Sequence, residues 1–400
     1  MPAKGVLVVV QSTICTAEVP WDVVVLGGGV IGTASAWRVA QRGLRVLQLD
    51  PSPGSGASGV AAGMLAPVSE LHHGEGALLQ VSLEAAARYP RYVADVTAAA
   101  GRDTGYRDCG TLVVALAADD RARLADVRAT QQRLGLDVEA LTGRDCRRLE
   151  PLLDPAVSGG TLVRGDHQVD PRRLLMALRA AAGAAGAEVV TARGEPCIED
   201  GRALGVQLPD GEVLRSRWTV LATGAYAGSH APVRPVAGQI ARLRMPRGEH
   251  VLQRIVRGVV HDRDVYLVPR RDGELVVGAT SEERGLAAVT TAGGVYELLR
   301  DAQALLPAVG ELEFVEVAAR CRPGSPDNLP LIGEGDIAGL VLATDHGRNG
   351  VLLSGVTADA GAAVVSGEDV PSSLRACRPD RFQPQHSAAE GRREGAGAWT

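Results

Sequence analysis

The sequence predicts an α/β chain, α+β overall, in which a Rossmann-like dinucleotide domain is interleaved with a strand-rich second domain. Three observations predict it. Near the start, the apolar run Asp22-Val-Val-Val-Leu breaks into Gly27-Gly-Gly29-Val30-Ile31-Gly32, and a second strand closes on Asp50. Much later, Trp218-Thr-Val-Leu-Ala-Thr-Gly224-Ala reads as a buried strand ending in small residues. Between and beyond these come hairpin signals, where a simple Rossmann chain would repeat βα units. The first observation is the layout of a βαβ unit that binds a dinucleotide. Gly27 allows the tight turn, Gly29 lets the backbone approach a pyrophosphate, and Gly32 lets the helix pack closely on the strand. The helix N-terminus at Val30 and Ile31 faces the phosphate charge. Asp50 sits where a carboxylate accepts hydrogen bonds from ribose hydroxyls.

Which dinucleotide is bound is decided by the next stretch, Pro51-Ser-Pro-Gly-Ser-Gly-Ala57-Ser58-Gly-Val-Ala-Ala62-Gly63-Met64-Leu65-Ala-Pro67. Its small residues suit a backbone lying flat against a large planar ligand, with N–H groups meeting pyrophosphate or flavin oxygens. Here the chain resembles the glycine oxidase and D-amino-acid oxidase group of flavoenzymes, which carry a Gly-Ala-Ser…Ala-Ala-Gly-Met-Leu-Ala-Pro stretch in this place. Within that group the likeness is to the glycine oxidases of thiamine biosynthesis. It runs from about Asp22 to Phe382. It implies non-covalent FAD, with Pro51, Ala57, Ser58, Ala62, Gly63 and Met64 among its contacts, and a fold of D-amino-acid oxidase type.

Four hundred residues are ample for two domains. A net charge of −5 argues against a general nucleic-acid binder. Lys4 is the only lysine, so nearly every fixed cation is arginine. The six cysteines, among them Cys15, Cys109, Cys146 and Cys377, are scattered without a C-x-x-C pair, which fits a reducing cytoplasm. No apolar run approaches the length of a membrane span. Residues 1–20 read as an untidy extension, with a very short signal peptide as the other reading. Residues 383–400, rich in Gly, Ala, Arg and Glu, read as a disordered tail.

Along the chain, Gly32–Arg42 reads as the first helix, and a second runs from about Ser82 to Ala100. The strand Thr111–Leu116 precedes a helix near Asp119 that places Leu124, Val127 and Leu134 on one side. Thr142 and Asp145 form a capping-box pattern. Asp170 and Pro171 read as N-cap and first residue of a helix running through Ala182. The strand Glu188-Val-Val comes next, then a hairpin through Pro209-Asp-Gly211. A second hairpin, Val265–Arg270 and Leu275–Thr280, turns at Asp272-Gly273. The helix Thr291–Leu306 is stopped by Pro307. The expected plan is a discontinuous FAD-binding domain (21–80, 160–231 and 321–382) interleaved with a substrate domain (81–159 and 232–320).

Two arginine motifs carry the candidate chemistry: Arg322-Pro-Gly-Ser-Pro-Asp327 and His346-Gly347-Arg348-Asn349-Gly350-Val351-Leu352. A guanidinium meets an amino-acid carboxylate through two parallel charge-assisted hydrogen bonds. The resemblance implies that Arg322 is that clamp and that Arg348 is a second substrate-side arginine. It also implies a substrate-facing hydroxyl on Tyr266, a backbone contact to adenine at Cys197, and flavin contacts from His346, Gly347, Asn349, Gly350, Val351 and Leu352. Glu282 reads as a residue of a solvated turn, with a substrate-ammonium contact as the other reading. No Ser-His-Asp set or metal cluster appears, and hydride transfer to flavin needs none, since positioning supplies much of the acceleration.

The chain also departs from the group. Asp345 stands where glycine is usual, Gly355 where proline is usual, and Ala237 where lysine is common. Cys321 lies close to where sarcosine oxidases attach flavin, although the Arg-Pro-Gly after it belongs to the glycine oxidase pattern. The expected function is oxidation of glycine, sarcosine and small D-amino acids by O₂ in the cytoplasm, with homo-oligomers a possibility. The rival expectations are a dehydrogenase using another acceptor and a catalytically impaired flavin-binding protein.

Overall fold

In a computed structural model, residues 20–245, 252–260 and 263–382 are described; the residue 1–19 part of the extension, with Cys15, and the 383–400 tail lie outside them. The glycine-loop strand Trp21–Leu26 is central in a sheet ordered Leu331–Glu334, Leu340–Thr344, Val213–Leu221, Trp21–Leu26, Val46–Leu49, Glu188–Val190. All neighbours pair in parallel except the first two. The strand Val213–Leu221 does two jobs. Its first half pairs with Arg202–Gln207, which pairs in turn with Glu195–Glu199 in an antiparallel meander, and its second half lies beside Trp21–Leu26. The sequence reading treated these halves as a hairpin arm and a separate strand; they are one nine-residue strand.

The second sheet is ordered Glu313–Gly324, Arg234–Arg244, Glu274–Gly278, Arg263–Pro269, Ile255–Val260, Thr111–Ala115, Gly159–Val163, Glu139–Thr142. The strands Gly159–Val163 and Glu313–Gly324 run across the boundaries expected at 159/160 and 320/321 and lie wholly in this sheet. The helix Ala292–Leu305 covers one face through Leu298, Ala302 and Leu305.

Local chemistry sets several ends. The Asp170 carboxylate accepts the amides of Arg172 and Arg173 at the start of Pro171–Ala184, and Thr142 and Asp145 form the capping box of Gly143–Leu149. The second helix starts earlier than its apolar spacing suggests, at Gly76, and Leu78 and Leu79 are already buried. The helix Ala118–Arg133 corrects a second expectation. Val127 and Leu134 on its apolar side are exposed, and the buried residue is Gln131, which donates to the Val68 carbonyl at 2.9 Å.

The helices Val30–Ala40, Gly76–Ala100, Pro171–Ala184 and Gly350–Val365 pack one face of the parallel sheet. Gly350–Val365 is buried almost all round, and its Gly355 accounts for one departure from the group. A Cβ at Gly355 would lie 3.0 Å from Cγ of Tyr92, so the tyrosine ring fills space a proline would need. We expect Gly355→Pro to destabilise the protein by about 3 kcal/mol, from a lost helical hydrogen bond and this clash. Tyr92→Ala should relieve part of it, so a double-mutant cycle read by denaturant unfolding should show about 1 kcal/mol or more of favourable coupling.

Candidate active site and cofactor crevice

The carboxyl ends of the parallel strands form the crevice where open α/β sheets bind ligands. Gly27, at φ 112°, turns the chain away from its strand, and a Cβ there would lie 2.3 Å from the Ala222 carbonyl oxygen. A Cβ on Gly32 would lie 2.1 Å from the Gly27 oxygen, so that residue permits the close helix–strand contact. At Gly29 the nearest obstacle is the Ser58 hydroxyl at 3.1 Å. Ser58 accepts the Val30 amide at 3.0 Å, and Ile31 follows in the same first turn. Asp50 accepts the Gly28 amide on one oxygen and the Ser52 amide on the other, while Pro51 beside it is exposed. The carboxylate is thereby fixed at the rim with lone pairs to spare.

The small-residue stretch continues the crevice. Ala57 opens a four-residue helix, and Ala62 is buried. Gly63, at φ 74°, sits against Val169, where a Cβ would meet the carbonyl at 2.1 Å, and Met64 pairs with Gln168. Cys197 is half-buried in the outer meander. At the far end, past Val213–Leu221, the buried Thr223 hydroxyl has no partner among the described residues. A tight glycine turn opening directly into a helix, a fixed acid and an orphaned hydroxyl fit a dinucleotide.

On the second sheet, Tyr266 pairs across strands with Gly278, and a Cβ on that glycine would lie 2.3 Å from the tyrosine oxygen. A Cβ on Gly238 would likewise lie 2.4 Å from a terminal nitrogen of Arg322. The two missing side chains make room for the two candidate substrate groups. Burial raises the Tyr266 pKa, opposed by the positive charges of Arg322 and Arg257, so the hydroxyl keeps its proton. Arg322 donates to the Thr280 carbonyl at 3.4 Å, and no carboxylate among the described residues pairs with it.

Arg348 is different. One terminal nitrogen donates to Glu75 at 3.1 Å and the other to the Glu70 carbonyl at 2.9 Å. Burial opposes ionisation of Glu75, but Arg348 outweighs it and holds the carboxyl below its usual range. The implied second substrate-side arginine is therefore already occupied, and a substrate carboxylate would have to displace Glu75.

Glu282 corrects the solvated-turn reading. It accepts from Gln239 at 2.7 Å and from the Thr280 hydroxyl at 2.9 Å, and Gln239 in turn accepts the Thr291 amide at 2.9 Å. Glu70 and Arg257, paired at 3.4 Å near Tyr266, were also missed, because one acid and one arginine among many carry no sequence signal. Gln239 stands two residues after Ala237, whose departure from the group the sequence shows.

The loop after Leu340–Thr344 closes the site. His346 is buried, bonds Thr357 at 2.9 Å, and burial pulls its pKa down to about 3, so it stays neutral. Gly347–Asn349 is a single 3-10 turn and Gly350 opens the long helix. The Val351 carbonyl accepts the Tyr89 hydroxyl at 3.2 Å, and Leu352 is in the core. Ala237 lies opposite Cys321 in register, and burial pushes the Cys321 thiol up, which suits an inert group.

Asp345 has φ 62° and is fully buried. One carboxyl oxygen accepts the Thr344 hydroxyl at 3.3 Å; the other has no partner among the described residues. Burial raises its pKa to about 6 from 3.8. A folded-state value above the unfolded one means that the cost is absent at low pH. It grows as pH rises from about 4 to about 6 and is full above that. We expect Asp345→Asn to stabilise the protein, with a gain about 1 kcal/mol larger at pH 8 than at pH 5 in denaturant unfolding. A gain independent of pH would contradict the assignment.

The sequence pattern of the FAD dependent oxidoreductase (DAO) family matches residues 22–364. The chain is 35% identical over 90% of its length to the bifunctional protein ThiO/ThiG of Synechocystis sp., and covers 54% of that protein. It thus spans about half the length of the first curated relatives it matches. It is 32% identical over 84% of its length to the glycine oxidase of Geobacillus kaustophilus, covering 90% of that protein. The crystal structure of glycine oxidase from that organism superposes with a TM-score of 0.83 at 31% identity, over 90% of this chain and 99% of the other. With the crevice and the pattern in agreement, the chain belongs to the DAO family of FAD-dependent oxidoreductases, and FAD is its cofactor.

Proposed function

We propose that this protein oxidises glycine, and with it sarcosine and small D-amino acids, to an imine that water hydrolyses to the oxo acid and ammonia, or methylamine in the case of sarcosine. O₂ is the electron acceptor and H₂O₂ the by-product, and the reaction serves the thiazole branch of thiamine synthesis in the cytoplasm. The observation that carries this reading is Arg322. It is a guanidinium with no carboxylate partner among the described residues, beside a protonated Tyr266 hydroxyl, in space left by Gly238 and Gly278. Relatives named glycine oxidase and ThiO support the substrate class. The five described cysteines are unpaired, in keeping with a reducing compartment. No helix among the described residues is long and apolar enough to cross a membrane.

When bound, FAD supplies the acceptor for the hydride. The protein's own residues supply position. Arg322 holds the carboxylate by a two-pronged contact, which fixes the substrate Cα. Tyr266 stays protonated and offers one hydrogen bond. Glu282, tied down by Gln239 and Thr280, stands near the mouth with a negative charge: those two hydrogen bonds keep its pKa low. The amine must reach the flavin uncharged. His346 is buried against Thr357 and takes no part as a base. Arg348, neutralised by Glu75, braces the loop instead of binding substrate.

A dehydrogenase passing electrons to another acceptor is the nearest rival, and a catalytically impaired flavoprotein is favoured only by the buried Asp345. Anaerobic bleaching of bound flavin by glycine, followed by stoichiometric H₂O₂ on admitting air, is expected; bleaching without peroxide would favour the dehydrogenase. Arg322→Lys keeps the charge and loses the fork. It should lower kcat/KM for glycine by roughly 30- to 1,000-fold at unchanged FAD content, and much less for an amine without a carboxylate. Equal losses for both substrates would remove Arg322 from the carboxylate site.

A further inference from the structure

The small-residue loop between Asp50 and Leu65 has almost no side chains with which to hold itself in place, yet three of its carbonyls are each taken by a guanidinium. Arg320 Nε donates to Ser55, Arg172 Nε to Gly59 at 2.8 Å, and Arg270 to Ala62. The three arginines come from different elements. Arg320 lies in the strand Glu313–Gly324, Arg270 directly follows Arg263–Pro269, and Arg172 is in the first turn of Pro171–Ala184.

Two of the three are anchored at their far ends. Arg172 donates from one nitrogen to both Glu316 oxygens at 2.8 and 3.0 Å. Buried Arg270 also donates to the Gln168 side chain at 2.7 Å and the Val169 carbonyl at 3.1 Å. A charge is kept inside a protein only when such bonds replace its water. Arg320 is exposed, and its second bond goes to the neighbouring Ala319 carbonyl. It is two residues from Arg322 in one strand, so both side chains leave the same face.

We propose that Arg172, Arg270 and Arg320 are positioning residues for the cofactor: by holding the loop carbonyls they keep residues 55–62 in the shape that receives FAD, and so set its affinity. A loop already ordered loses less freedom on binding than one that must be ordered by the ligand. Because two of the clamps belong to the sheet that carries Arg322, the same contacts fix the cofactor loop relative to the substrate clamp. The inference rests on FAD binding and extends it to residues that do not face the ligand.

The test is FAD retention and affinity of the full chain, measured by stripping the holoenzyme and titrating FAD back by flavin fluorescence. Arg320→Gln should raise the FAD Kd roughly three- to tenfold, with the melting temperature of the apoprotein unchanged. Arg320→Lys, which keeps a donor, should recover most of that loss. Arg270→Gln should raise Kd more than tenfold if it folds; if it does not, the exposed Arg320 decides alone. A Kd for Arg320→Gln within twofold of wild type overturns the proposal. So does a rise that accompanies a lower apoprotein melting temperature and is not restored by lysine, because that marks a merely structural role. Wild type that takes up no FAD would overturn the cofactor assignment itself, whereas wild type that binds beside unaffected variants overturns only the clamps.

Discussion

Two eight-stranded sheets with no strand in common, together with a two-stranded ribbon, organise the described residues, and an interaction that recurs between the large sheets is the hydrogen bond from a guanidinium to a main-chain carbonyl. Arg270 reaches Ala62 and Val169, Arg257 reaches Ser69, and Arg107 spans from the first layer back to Pro269 and Gln253. A carbonyl offers a fixed acceptor whatever residue bears it, so this union places few demands on side chains at the receiving end. That is why the loop between Asp50 and Leu65 can be nearly all glycine, alanine and serine and still hold one shape. A planar fork holds two such acceptors in a fixed geometry, whereas lysine offers a point charge with rotatable donors.

Paired and unpaired arginines divide the work of the site. Arg348 and Arg322 look equivalent in their glycine-containing motifs, yet Glu75 neutralises one and no described carboxylate meets the other. The difference lies in a helix that begins at Gly76, far from either motif in sequence. Asp345 shows the opposite bargain: a left-handed backbone and a half-satisfied carboxyl at one position, tolerated where the strand Leu340–Thr344 gives way to the loop.

Much of this was legible before any coordinates. Gly27, Gly32 and Asp50 announce their places because each answers a local demand: a tight turn, a close approach, a strand end. The Thr142 and Asp170 caps and the Asp272-Gly273 turn are local in the same sense, and all three formed. What could not be read was long-range. Nothing near Arg348 names Glu75, and nothing near Gly238 or Gly278 says that a guanidinium and a phenol will lie over them. The apolar spacing of Leu124, Val127 and Leu134 has a helical period, but the fold covers that side only in part: Leu124 is half-buried, Val127 and Leu134 are exposed, and Gln131 on the same side is the buried residue. The strand Val213–Leu221 was divided in two because its first half alternates and its second is uniformly apolar, a change of neighbours along one strand.

The single lysine, Lys4, leaves every residue from 20 to 382 without a primary amine on its side chain. An enzyme that releases glyoxylate, as proposed here, works beside an aldehyde that condenses with amines and leaves guanidinium groups far less touched. With every fixed side-chain cation from residue 20 to 382 an arginine, the body that holds the clamps offers such an aldehyde no lysine to condense with.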